Sequence, residues 1–126
     1  MMGVNYCMVA GIGIDLVDLD HMVSVCQKQP RIFEKILTEK EIEVYEKYGE
    51  KRKLEFLAGR YAVKEAFSKA MGTGIGKTVT FKSISVLTNN KGQPVVVKSP
   101  YEGNVFVSIS HSQKMAVAQV VLEKIE

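Results

Sequence analysis

Leu57-Ala58-Gly59-Arg60-Tyr61-Ala62-Val63-Lys64-Glu65-Ala66-Phe67-Ser68-Lys69-Ala70-Met71 is the stretch whose reading decides the fold. Good helix formers fill it and it holds no proline. Phe56, Gly59, Val63, Phe67 and Ala70 recur at steps of three and four, which makes one apolar face of a helix. Gly72 follows as a natural C-terminal cap. At roughly 100° per residue, Glu65 points away from that stripe, among Leu54, Ala58, Tyr61, Ala62, Ser68 and Lys69. A solvated Glu65–Lys69 ion pair would be worth a few tenths of a kcal/mol and needs no semi-apolar surroundings. This second face therefore predicts a partner: another element, another subunit or a ligand. Leu54, Ala58, Tyr61 and Ala62 would form an apolar patch on a monomer, so an oligomer is expected.

Upstream, Met8 to Val17 reads as a strand. Ile12, Ile14 and Leu16 alternate onto one face, taken as the core side, and Asp15 falls on the other. Gly11 and Gly13 share the Asp15 face and leave room for a close approach. Asp18 caps a helix with Leu19, Met22, Val23 and Cys26 on its apolar side. Ile32, Phe33, Ile36 and Leu37 form a short helical set after Pro30. Thr38-Glu39-Lys40-Glu41 is a capping box, with Leu37 and Ile42 placed as a hydrophobic staple. That helix is expected to run to about Tyr48 and end at Gly49.

Downstream, the period changes from helical to alternating at Val79. Val79 to Thr88, Val95 to Lys98, Val105 to Ser110 and Met115 to Leu122 read as strands. Asn89-Asn90-Lys91-Gly92 is a turn, and Ser110 to Lys114 is short enough for a hairpin. Helices fill the first half and strands the second. The expected class is α+β, with a mostly antiparallel sheet packed on a long central helix and shorter N-terminal helices.

The 126 residues fit one domain, 1–126, and an apolar fraction of 46% is ordinary for a globular chain. A net charge of +3 is compatible with an anionic ligand or an acidic partner and does not demand nucleic acid. The basic run Lys51-Arg52-Lys53 reads most simply as a solvated helix start. No segment is apolar enough to span a membrane, and Met1 to Tyr6 lack the features of a signal peptide. Gly3 is one place too late for simple myristoylation. Cys7 and Cys26 have no metal-ligand spacing and suit a reducing compartment, so a cytoplasmic protein is expected.

Two motifs mislead. Gly72-Thr73-Gly74-Ile75-Gly76-Lys77-Thr78 resembles a phosphate-binding loop, but Met71 stands where its first glycine belongs, and the order is helix to strand. Ser108, Ser110, His111 and Ser112 lack the elbow that would present a serine nucleophile. What remains is Asp15 and Glu65, carboxylates from two different elements. Such a pair suits a hard cation such as Mg²⁺, which leaves places for water and phosphate oxygens. Arg60, Lys64 and Lys69 stand about one turn away, as phosphate partners would.

Gly13-Ile14-Asp15-Leu16-Val17, Phe56 to Ala70, and Ser108-Ile109-Ser110-His111 together resemble the three signatures of the holo-acyl-carrier-protein synthases. These are the small single-domain 4′-phosphopantetheinyl transferases. The resemblance runs from about Gly11 to about Val121. It implies transfer of phosphopantetheine from coenzyme A to a serine of apo acyl carrier protein, with release of adenosine 3′,5′-bisphosphate, in support of fatty acid biosynthesis. It implies that Asp15 and Glu65 hold Mg²⁺, that Arg60, Lys69 and His111 line the coenzyme A site, and that homotrimers carry a site at each interface. Glu65, through a metal-bound water, and His111 are both candidates for the general base. The chain departs from the family at His21, where an arginine usually meets the acidic carrier; this bears on carrier affinity and not on the chemistry. Two other readings of the residues are a Mg²⁺-dependent phosphohydrolase of nucleotide-like substrates and a basic nucleic-acid-binding module. The second would need stacking aromatics or an arginine-dense helix, and neither is evident.

Overall fold

In the computed structural model, which describes residues 7–125, the chain begins with β1 (Cys7–Asp18). The expectations for residues 1–6 and for the Cys7 side chain lie outside the described residues. β1 pairs antiparallel with the last strand, which pairs in turn with the strand before it. The first sheet thus has the order β1, Met115–Ile125, Asn104–His111. In chain order the remaining elements are α1 (Leu19–Lys28), α2 (Phe33–Ile36), α3 (Glu39–Tyr45), α4 (Glu50–Met71), β2 (Ser85–Thr88) and β3 (Pro94–Lys98). The two strands beside β1 are then β4 (Asn104–His111) and β5 (Met115–Ile125). β2 and β3 form a separate antiparallel pair. The architecture is α+β with antiparallel sheets, as the sequence indicates.

The caps form where the residues predict them. Asp18 accepts from the His21 backbone N–H at 3.0 Å. Thr38 and Glu41 close their capping box at the start of α3. Gly72 takes a left-handed conformation, φ 78°, and ends α4. Three boundaries differ from expectation. α3 ends at Tyr45, because the chain turns before the extended Gly49 starts α4. α4 is therefore 22 residues long and takes in Lys51, Arg52 and Lys53. Arg52 and Lys53 lie over the Tyr48 and Tyr45 rings at 5.1 and 5.2 Å, as helix-start cations resting on aromatics. The expected strand from Val79 contains a 3₁₀ turn, Phe81–Ser83, before β2 starts at Ser85. Ser83 caps that turn by accepting from Thr80 N and donating to Thr80 O.

The largest correction concerns β1. Ile12, Ile14 and Leu16 are not on the core side: they are 66, 60 and 61% exposed. The covered side is the one with Gly11, Gly13, Asp15 and Val17, and α4 lies on it. The glycines decide this. A Cβ at Gly13 would overlap the Ala66 carbonyl oxygen, and one at Gly11 the Ala70 carbonyl oxygen. Only a backbone without side chains lets α4 come down directly on the strand.

Of the predicted stripe of α4, Phe56, Gly59, Val63 and Phe67 are buried and Ala70 is half-buried, but much of the other face is buried too. Ala58 and Ala62 are 0% exposed, covered by this chain itself. The patch predicted from Leu54, Ala58, Tyr61 and Ala62 therefore does not exist as an open surface. α4 is central: β1, β4 and β5 lie along one side and α1, α2 and α3 along others. A helix enclosed on several sides shows a weak single-face period. The exposed large apolar residues instead include Ile12, Ile14, Leu16 and Phe106, on the outer side of the first sheet.

Candidate active site

The seating of α4 on the two glycines places Glu65, next to Ala66, beside Asp15 of β1. Asp15 is half-buried and its Oδ1 accepts from Lys69 Nζ at 2.9 Å. Lys69 also donates to the Ile14 carbonyl at 3.0 Å, while its side chain stays 53% exposed. Burial pushes the Glu65 carboxyl above its ordinary value, and the neighbouring Asp15 charge pushes it the same way. Lys69 and the Tyr61 hydroxyl oppose that shift. The same surroundings raise the Tyr61 phenol, by burial first and then by the charges of Glu65 and Asp15. Asp15, Glu65, Lys69 and Tyr61 are thus one electrostatic cluster. Its acidic part is legible in the sequence, whereas Tyr61 falls there only in the expected apolar patch.

A second cluster lies further toward the start of the same helix. Arg60 is buried, with its guanidinium 4.0 Å over the Phe56 ring. Nε donates to the Val86 carbonyl at 3.2 Å and Nη2 to Thr88 Oγ1 at 3.1 Å. Burial pushes its pKa down to about 10, so it remains a cation at neutral pH. Arg60 lines a cavity of about 290 Å³ together with Arg52, Glu55, Thr88 and His111. His111 ends β4, with Nδ1 3.7 Å from Glu55 Oε2. The register runs from His111 to Ala116 of β5 and from Ala116 to Val17 of β1, whereas Asp15 pairs with Ala118. Two strands across and two residues along is about 12 Å of backbone. One chain therefore splits the predicted residues into an acidic half and a basic half.

Lys64 joins neither half. Its side chain is 0% exposed. The ammonium donates to Ile36 O at 2.7 Å, Glu41 Oε1 at 2.6 Å and Phe81 O at 3.0 Å. An ammonium has three donors, so none is left for a phosphate, and the expectation that Lys64 binds a cofactor is corrected. The sequence placed Glu41 in a capping box, which is right but incomplete. Its Oε1 serves the Thr38 N–H and Lys64, and its Oε2 accepts from Val86 N at 2.8 Å. Nothing local in the sequence signals a contact between residues this far apart.

The model of the 4′-phosphopantetheinyl transferase superfamily matches residues 11–121. The chain belongs to this family. Both clusters fall inside the matched span. Among curated members, the holo-[acyl-carrier-protein] synthase of Enterococcus faecalis is 53% identical over 116 residues, covering 92% of this chain and 98% of that one. The Streptococcus thermophilus synthase is 53% identical over 117 residues, 93% and 98% of the two chains. A solved holo-(acyl-carrier-protein) synthase from Bacillus anthracis, in complex with CoA (3′,5′-ADP), superposes with a TM-score of 0.87 at 48% identity over 93% and 98% of the chains. The Helicobacter pylori synthase in complex with coenzyme A superposes at 0.77 with 31% identity, over 88% of this chain and 98% of that one. The fold is that of the phosphopantetheinyl transferases, and the chain is an enzyme of that class.

The acidic half suits a divalent cation of the hard type. Its donors are carboxylate oxygens, and the Lys69 ammonium on Asp15 Oδ1 already stands there as a cation. Among the described residues no group of three His, Cys, Asp or Glu side chains gathers. A cation held by Asp15 and Glu65 would take its remaining oxygens from water and substrate.

Proposed function

We propose that this transferase moves 4′-phosphopantetheine from coenzyme A to a serine hydroxyl of an acidic apo acyl carrier protein, releasing adenosine 3′,5′-bisphosphate. The observation that carries the reading is the Asp15–Glu65–Lys69 cluster built by the glycine-seated helix. It stands in a chain whose CoA-bound relative superposes over nearly its whole length. Asp15 and Glu65 would hold Mg²⁺, which supplies charge stabilisation on a diphosphate. Lys69, half free of its partners, offers a donor to the same diphosphate. Arg60 and His111 would receive the nucleotide end in the cavity they share. The serine oxygen bonds to the β-phosphorus as the bond to the leaving phosphate breaks. Glu65, through a metal-bound water, and His111 are the two candidate bases for the serine proton. The serine belongs to the carrier, so this chain needs no nucleophile.

The acidic and basic halves are separated within one chain, and an assembly that joins them is part of the proposal. The exposed Ile12, Ile14, Leu16 and Phe106 supply the apolar surface for a homotrimer with interfacial sites. The whole chain, 1–126, works as one transferase domain in cytoplasmic fatty acid synthesis. Among the described residues no helix is long and apolar enough to cross a membrane. The test is incubation with coenzyme A, Mg²⁺ and apo carrier protein, followed by mass spectrometry. The carrier gains one phosphopantetheine; coenzyme A consumed without that gain would show a phosphohydrolase instead. Light scattering on Ile14→Glu should show dissociation together with loss of activity. An active monomer would remove the shared site.

A further inference from the structure

β2 has one strand neighbour, and its pairing with β3 shifts register between Ser85 and Val86. The free edge at that irregularity needs partners for its peptide groups. Two charged side chains provide them on the two sides of one residue. Glu41 Oε2 accepts from Val86 N at 2.8 Å, and Arg60 Nε donates to Val86 O at 3.2 Å. Val86 is itself fully buried, so neither of its two backbone polar groups can turn to water. Arg60 is then held at three points: the Val86 carbonyl, Thr88 Oγ1 and the Phe56 ring. Its Nη1 has no acceptor among the described residues. No buried side-chain nitrogen there lacks a partner, so Nη1 is not sealed, and Arg60 lines the cavity shared with His111.

We propose that Glu41 is a positioning residue of the coenzyme A site: through the Val86 backbone, whose N–H it holds, it aims the Arg60 guanidinium at an anionic group of the substrate. The inference rests on the reading of Arg60 as a coenzyme A contact. A simpler role would be to neutralise Lys64. That role occupies Oε1 alone, at 2.6 Å, and leaves the bond from Oε2 to the β2 edge without a purpose. Glu41 is also the nearby charge that most favours the guanidinium cation against its burial. One carboxylate therefore serves both the sealed lysine and, one peptide away, the arginine that faces the cavity.

Two double variants separate the roles. Glu41→Gln/Lys64→Met and Glu41→Met/Lys64→Met both remove the ion pair in similar volume, a change buried pairs often tolerate. Only the first keeps an oxygen that can accept from Val86 N. Positioning predicts that KM for coenzyme A stays near wild type in the first and rises roughly tenfold in the second, the scale of one hydrogen bond to a charged group. In both, kcat at saturation should stay within about twofold. In an Arg60→Lys background the difference between the two should vanish. Glu41→Asp gives a second reading with the ion pair retained: the charge stays beside Lys64, the reach to Val86 is lost, and KM should rise. Equal KM values in the two double variants, or an unchanged KM in Glu41→Asp, would overturn the proposal. If Arg60→Lys alone leaves KM for coenzyme A unchanged, the reading of Arg60 fails first, and that outcome is distinct from both.

Discussion

Lys64 and Lys69 stand five residues apart on α4, and each pairs with a carboxylate from another element at nearly the same distance, 2.6 and 2.9 Å. They have opposite fates. Five residues turn the helix by about 140°, so Lys64 enters the layer of α2, α3 and the Phe81 turn, while Lys69 emerges at the edge of β1. Lys64 has no exposure and all three of its donors are used. Burial pushes its pKa down, and Glu41 holds it up. Lys69 keeps one donor free and half its side chain in solvent. The same two residue types make a sealed rivet in one place and an open edge in the other. What differs is whether the surrounding backbone consumes every donor.

Removing each ammonium in turn separates the two fates most strongly. Lys64→Met strands the Glu41 carboxylate in the core and should cost about 3–5 kcal/mol of stability. Lys69→Met removes a half-exposed partner and should stay within about 1 kcal/mol, while turnover falls roughly 100-fold through lost charge stabilisation. Urea titration and transfer assays on both proteins give the two readings. Equal stability losses would show that the two pairs are alike.

Next in size are the carboxylates of the open cluster. Asp15→Asn and Glu65→Gln should each lower turnover about 10²–10³-fold and weaken Mg²⁺ binding in calorimetry. Stability supplies the control. The Glu65 carboxyl is raised in the fold, so the folded protein holds that proton more tightly than the unfolded chain. Its contribution is present below the ordinary glutamate pKa and is lost as pH rises through the raised value. In the absence of metal, Glu65→Gln should therefore gain in melting temperature over wild type at neutral pH, and the gain should fade in acid. A melting temperature that falls at neutral pH would place Glu65 among structural residues, beside Glu41.

Gly13→Ala tests how the open cluster is built. The added Cβ meets the Ala66 carbonyl, a backbone atom that cannot step aside. A loss of about 1–3 kcal/mol is expected, as for overpacking, with a fall in turnover because α4 and its Glu65 are pushed off β1. The Lys64 pair, on the far side of the helix, should remain; a crystal structure of the variant would show it. The smallest effect is at the surface. His21 is exposed on α1. His21→Arg should lower KM for an acidic carrier by about two- to threefold at low salt. That gain should shrink as salt screens the rim charge within about 8 Å. Carrier KM unchanged at every salt concentration would make His21 a bystander.

The sequence by itself determined the local structure: the caps at Asp18, Thr38 and Gly72, the central helix, the antiparallel class, and Asp15 and Glu65 as candidates. These rest on short-range physics, namely periodicity, side-chain to backbone capping and the conformational freedom of glycine, which act over a few residues. The glycines of β1 signal room for a close neighbour but do not say that the neighbour is α4. Tertiary structure alone decided three things. It decided which side of β1 is covered, since alternation gives two faces but not their contents. It decided that Lys64 is sealed and Lys69 is open, since both look alike along the helix. It decided that Arg60 and His111 lie away from Asp15 within one chain, since strand order β1, β5, β4 sets that spacing. Each depends on which distant segments meet, and the energy of such meetings is spread over the whole packed core.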